Sequence, residues 1–257
     1  MNKAQKQPKV LLSMSIWVLL FCLTSSGAWA QTTEGIITYN RKTDWASIMS
    51  KLSYMDQAEI DRINLTWGSN DDYEGAKYNL YLKDNKTIYT AKEEESTDFS
   101  WRQDEFIILR DLKAKKSKDL REEMGQKFLI EEDTPRIKWK ILNEIKEIQG
   151  YLCMKAETTN QVKGQTIHAW FTDAIPVFGG PEGFGGLPGM ILELDINDGD
   201  AVVSARKIDL ETPLEKLPFP KKMKGKKVTY AELDQKIEKF IADSIEGRKN
   251  PYWNLRF

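Results

Sequence analysis

What most constrains this chain is a succession of short alternating segments, set at regular spacing between turn signals. Residues 36–39 begin one strand. Residues 78–82 alternate, Asp84-Asn85 turns, and residues 87–90 return, which is a hairpin signal. Residues 106–112 form the next segment, with the Lys-rich stretch 113–118 expected as its turn. Phe128-Leu129-Ile130 follows, then a break at Pro135, then alternating Ile137, Trp139 and Ile141. Residues 150–156 and 165–172 continue in the same style, with His168, Trp170 and Thr172 sharing one face. Residues 190–196 and 201–208 flank Asn197-Asp198-Gly199, another hairpin turn. Many short half-apolar strands imply an antiparallel sheet that curves or partly closes.

Two helices are expected beside it. Asp44 can cap one through about Leu52, with Trp45, Ile48, Met49 and Leu52 on one face. The other spans 230–246 within a C-terminal segment 229–248. Thr229 and Glu232 make a capping-box pair, and Leu233, Ile237, Phe240, Ile241 and Ile245 form its apolar stripe. Gly247 is expected to stop it in a left-handed cap. An apolar stripe must cover something, most simply the sheet. The expected class is therefore α+β: a curved, mostly antiparallel sheet or open half-barrel, with an N-terminal helix and a C-terminal amphipathic helix packed against it.

The first thirty residues read as an address. Lys3, Lys6 and Lys9 precede an apolar run over 10–23, and Ala28-Trp29-Ala30 supplies small residues for cleavage after Ala30. The run is too short to span a bilayer. Phe21 before Cys22 argues against a lipid anchor. The expectation is an exported protein of the periplasm or cell surface, with residues 31–257 as a single domain and no transmembrane segment. Cys153 is then the one mature cysteine, either a buried small hydrophobe or a thiol for an external partner.

Chemistry is scarce. With 1 His and 2 Cys, neither a His-rich zinc site nor an all-cysteine one can be built, so no metal and no cofactor are expected. His168 has no G-x-S-x-G partner, and nothing local activates Cys153 toward it. The stretch 195–206 fails as a calcium loop, having Asp200 at the sixth position and Arg206 at the twelfth. A net charge of -1 gives no footprint for nucleic acid. Asp173, Glu182, Glu193 and Asp195 gather in sequence. Paired acids could act at glycosidic bonds, although solvated turn positions explain them as well.

Between two of the strands lies a Gly/Pro loop, 175–190. Six of the 16 glycines fall between Gly179 and Gly189. Pro176, Pro181 and Pro188 stiffen the loop, while Phe178, Phe184 and Leu187 offer apolar anchors. It lacks both the P-loop and the dinucleotide patterns. It reads as a built loop over a sheet edge or cavity mouth, serving as a plug or a lid.

The run Gly185-Gly186-Leu187-Pro188-Gly189-Met190-Ile191 resembles the signature of the GLPGLI family, exported proteins chiefly of Bacteroidota. Residues 148–156 resemble its I-x-G-Y-x-C-x-K-A block. Ala169-Trp170-Phe171-Thr172, Ile175-Pro176 and Gly180-Pro181 resemble further blocks, so the core signature covers 137–195. Met190 replaces the motif's Leu, a swap of similar volume. The resemblance carries over no catalytic residues. It implies a curved sheet with helices on its concave side, similar to the open barrels of periplasmic lipoprotein carriers.

The expected function is a non-catalytic binding or scaffold protein, for an apolar small molecule or lipid or for an outer-membrane protein partner. Its candidate binding residues are Trp170, Phe184, Leu187, Pro188 and Met190. The alternative is an enzyme of the cell envelope using the acids near the loop. A third reading is an outer-membrane barrel ending in alternating Trp253, Leu255 and Phe257.

Overall fold

The alternating segments do form strands in the computed structural model, which describes residues 34–67, 75–92, 105–220 and 222–257. The expected signal segment 1–30, with Cys22, lies outside the described residues. The first six strands are β1 Gly35–Thr43, β2 Ala76–Lys83, β3 Lys86–Ala91, β4 Phe106–Asp111, β5 Lys116–Glu123 and β6 Gln126–Asp133. The others are β7 Lys140–Ile148, β8 Tyr151–Asn160, β9 Gln165–Thr172, β10 Met190–Ile196, β11 Ala201–Asp209 and β12 Lys226–Lys227. They make one open sheet in the order β12-β6-β5-β4-β3-β2-β1-β11-β10-β9-β8-β7. Every pairing is antiparallel except that of β12 with β6.

Turn chemistry sets much of this register. Asp84 and Asn85 take φ of 52° and 58°, the left-handed pair that a two-residue hairpin needs, and Lys83 pairs with Lys86 across it. Asn197 and Asp198 do the same between β10 and β11, at φ 55° and 56°.

The sheet cannot be flat. Residues 134–139 carry the chain from β6, near one end, to β7 at the other. Ten strand steps at about 4.8 Å would separate those two strands by about 48 Å. Seven residue steps reach at most about 25 Å. The sheet therefore curls until its two ends approach each other. Lys163, in the β8–β9 turn, confirms it: its Nζ lies 3.9 Å from Glu123 at the end of β5, seven strands away in sheet order.

Curling places one face inward, and the inward positions carry the core. Ile37, Tyr39, Leu80 and Ile108 meet Ala169, Phe171, Ile191 and Val203 in a single buried cluster. The aromatic rings Tyr39, Tyr78, Tyr89 and Phe106 interlock there, with Tyr78 stacked on Tyr89 at 5.2 Å. Cys153 belongs to this cluster and is fully buried. Burial pushes its thiol up to about 11, despite the opposing pull of Lys146.

Among the described residues, three α-helices accompany the sheet: α1 Trp45–Ser50, α2 Gln57–Trp67 and α3 Tyr230–Glu246. Asp44 caps α1, accepting from the Ser47 amide at 2.8 Å. Buried Asp200 then ties α1 to the β10–β11 turn through Ser47 and Lys51. In α3 the expected capping box is present at Thr229 and Glu232. Its Leu233 and Ile237 pack on Phe128 and Ile130 of β6 and on Leu255. The described residues belong to one compact unit, Thr33–Phe257.

Several expectations are corrected. The turn expected at 113–118 falls at 112–115, and strand β5 takes its second half from Lys116, because Ser117, Asp119 and Glu123 turn inward and find partners there. The strand expected at Ile137 and Trp139 begins only at Lys140, since 134–139 is the crossing segment. Gly247 has φ -77°, and the left-handed position is Arg248 at φ 51°. The Arg248 and Lys249 amides donate to the carbonyls of Ile245 and Ser244, which completes a Schellman motif one residue later. The C-terminal alternation is no barrel strand. Tyr252–Asn254 is a 3-10 turn, and Leu255 and Phe257 are buried. Helix α2 has no counterpart in the sequence reading.

Candidate functional site: a groove under the glycine-proline loop

The loop between β9 and β10 is held by its own backbone. The Gly186 amide donates to Phe178 O at 3.1 Å, Met190 to Ile175 O at 3.1 Å and Ile191 to Gly179 O at 3.0 Å. Trp139, on the crossing segment, donates its indole N–H to Gly185 O at 2.9 Å and tilts against Phe184. Leu187 is buried beneath. Gly189 must be glycine: its φ is 147°, and a Cβ there would sit 2.0 Å from Thr172 O. Gly183, at φ 83°, lets the loop lie directly on Arg110, whose Nη2 would be 2.7 Å from an added Cβ.

Between the loop, the crossing segment and β3–β4 is a groove of about 790 Å³. Tyr89, Ile108 and Arg110 form its floor, and Pro135–Ile137, Phe178–Gly180 and Gly183–Pro188 form its walls. Phe178 is 59% exposed, an apolar ring presented to solvent at the rim. This volume is within the usual range of ligand clefts, about 300–1,000 Å³, and the lining mixes aromatic faces with a few fixed polar groups.

Below the loop tip lies an ionic cluster. Glu182 has φ 57° and turns its side chain inward. Arg256 grips it with two bonds, Nε to Oε2 at 2.5 Å and Nη2 to Oε1 at 2.6 Å. Tyr89 donates to Oε1 at 2.9 Å, and Arg41 lies 3.7 Å away. Both the Glu182 and Arg256 side chains are 8% exposed. Burial alone would raise the Glu182 carboxyl, but Arg256 and Arg41 outweigh it and hold it at about 2. Such a group stays ionised and cannot serve as a general acid near neutrality. A second knot joins β4 and β5, where buried Asp119 is gripped by Arg110 and Arg121 and accepts from Tyr230 at 2.8 Å.

The sequence-derived residues scatter. Phe184, Leu187 and Pro188 line the groove. Met190 is fully buried in the core instead. Trp170 lies on the opposite face of β9 from core residues Ala169 and Phe171, beneath the Lys146 and Lys155 ammonium groups at 4.3 and 5.6 Å from its ring. Among the four acids, Asp173 is exposed, Glu182 is clamped inside, Glu193 pairs with Lys146, and Asp195 stands across from His168. They do not form a catalytic pair. Cys153 faces the core whereas His168 faces outward, so no Cys–His dyad forms. His168 stands between Glu157 at 3.3 Å and Asp198 at 3.4 Å. With Asp195 and Asp198 it makes a group whose ligand atoms lie within 4.8 Å of one another, and these residues could hold a metal ion. The sequence reading missed Tyr89, Arg110, Arg256 and the crossing segment.

Fold and groove together define a class: an open antiparallel sheet curled around a cleft that the Gly/Pro loop roofs. The chain belongs to the family described as N-glycanase peptide, N-terminal domain, whose model matches residues 68–235, well over half of the sequence. A comparison with curated proteins finds no match. Among solved structures, PNGF-II in a P21 crystal form is similar with a TM-score of 0.52 at 16% identity, over 79% of this chain and 32% of that one. PNGF-II in a C2 form gives a TM-score of 0.51 at the same identity and coverage. The chain thus spans about a third of the PNGF-II chains, and the likeness concerns the fold. The family match and the shared architecture overturn the expectation of a non-catalytic binding or scaffold protein for an apolar ligand or outer-membrane partner.

Proposed function

We propose that the chain is a substrate-engaging domain for N-glycan processing, seating the glycan-bearing segment of a glycopeptide in the groove under the Gly/Pro loop. The observation that carries this reading is the coincidence of the N-glycanase family match with a groove suited to sugar. A pyranose presents C–H faces and hydroxyl edges. Phe178 and Phe184 offer apolar faces, while Arg110 and Arg136 on the same groove offer donors. The rigid loop matters because a pre-formed site gives up less ordering entropy on binding.

In this reading the sheet is an open half-barrel with the helices closing its concave side. The GLPGLI resemblance and the signal-like pattern of residues 1–30 support export from the cytoplasm, to where glycoproteins are met. Titration calorimetry with a neutral N-glycopeptide and the same peptide without glycan tests the proposal. The glycopeptide should bind at least tenfold more tightly, and Phe178→Ala should weaken it about tenfold. Equal affinity for both peptides would refute it. Mass spectrometry of the same mixtures reads any glycan release.

A further inference from the structure

A second, smaller cavity of about 190 Å³ adjoins the groove and shares Arg110, Gly183 and Phe184 with it. Four cations border it: Arg110, Arg121, Lys163 and Arg256. Two carboxylate side chains line it among the described residues, Glu123 and Glu182. The neutralising bonds are unequally shared. Asp119 takes up Arg110 and Arg121, and Glu182 takes up Arg256. Lys163 Nζ donates to the Arg256 carbonyl and has Glu123 at 3.9 Å, and that carboxylate also accepts the Arg256 amide at 2.9 Å. From α3, Asp234 is the acid that feels Arg121 and Lys163, and burial raises it toward its neutral form. Arg121, Arg41 and Arg256 crowd Lys163 with like charge.

Donors are also left over. Gln165 borders the cavity and is only 4% exposed, yet its Nε2 has no hydrogen-bond partner. Arg110, 7% exposed, has its Nε likewise unpartnered. A buried donor without an acceptor costs about 1–3 kcal/mol. In a site where four cations meet three carboxylates, Asp119, Glu123 and Glu182, such groups call for an anionic acceptor. The volume is adequate: a cavity of roughly 150 Å³ accepts a benzene.

We infer that this cavity is an anion subsite for the carboxylate of an acidic sugar, of the sialic or uronic acid type, set beside the groove. The sugar assignment rests on the glycan reading above, because a carboxylate could equally come from a peptide. Gln165 Nε2 and Lys163 Nζ would be its donors, with Arg121 and Arg256 supplying field. Charge-assisted bonds of this kind are roughly twice as strong as neutral ones.

The test is calorimetric titration of the whole chain with N-acetylneuraminate and glucuronate, against N-acetylneuraminate methyl ester, glucose, and a short acidic peptide. The acidic sugars should bind at least tenfold more tightly than the neutral ones and the peptide, and should weaken as salt rises. Lys163→Gln should remove that preference, with circular dichroism confirming the fold, and Gln165→Glu should abolish binding by like charge. The salt series on the unaltered chain decides the matter if either variant fails to fold. Equal affinity for acidic and neutral sugars, or preference for the peptide, overturns the inference. If the neutral glycopeptide binds at Phe178 while the acidic sugars do not, this inference fails alone. If the acidic sugars bind and the glycopeptide does not, the groove reading fails alone.

Discussion

Replacing Glu182 by Gln removes the charge at the centre of the buried cluster and keeps its shape. Arg256 then loses two charge-assisted bonds, at 2.5 and 2.6 Å, while remaining 8% exposed. Breaking a buried pair by removing one partner costs about 3–5 kcal/mol. Proton linkage gives a similar figure. A carboxyl held at about 2 instead of 4.5 contributes about 3 kcal/mol at neutral pH. Because the folded value is the lower one, the unfolded chain binds more protons between about 2 and 4.5. This stability is therefore full above 4.5 and is lost as pH falls toward 2. Guanidinium denaturation at pH 7, followed by tryptophan fluorescence, should show Glu182→Gln less stable by about 3 kcal/mol with an unchanged slope. Repeated at pH 3, the difference should shrink, since the unaltered protein loses the contribution and the variant has none to lose. A variant within about 0.5 kcal/mol at pH 7, in the ordinary range of surface substitutions, would refute the reasoning.

Three further outcomes are expected. Thr229→Ala breaks the capping box of α3 and should lower stability by about 1 kcal/mol in the same denaturation assay. Gly189→Ala puts a side chain into a backbone region open only to glycine, against Thr172 O. It should cost at least about 2 kcal/mol and speed hydrogen exchange across the loop. Cys153, buried with its thiol pushed up to about 11, should resist a thiol reagent in native buffer at pH 8 and react promptly in denaturant.

The sequence made legible whatever depends on local rules. The Asp84-Asn85 turn, the Asp44 cap and the Thr229–Glu232 box each need only neighbours within a few residues, and all three are present. Strand β5 escaped because its inward positions are polar. Asp119 is fully buried yet offers no apolar signal, and its compensation comes from Arg110, Arg121 and Tyr230. The candidate site was half legible. Six glycines in eleven positions announced a loop, but the partner of Glu182 lies 74 residues away, in a C-terminal segment that read as strand-like alternation. No local pattern could join them, because the contact exists only once the sheet has curled. The same parity argument that predicted strands also explains Trp170: its alternation with Phe171 sends it to the face opposite the core.

Hydrogen exchange with bound glycopeptide tests the central claim most directly. With a neutral N-glycopeptide in excess, amides of the loop 177–190 and the crossing segment 134–139 should exchange several-fold more slowly, and those of α1 and α2 should not change. The peptide without glycan should leave all of them unaltered. Equal protection by both peptides, or protection confined to surfaces away from the groove, would contradict a glycan-engaging role for this site.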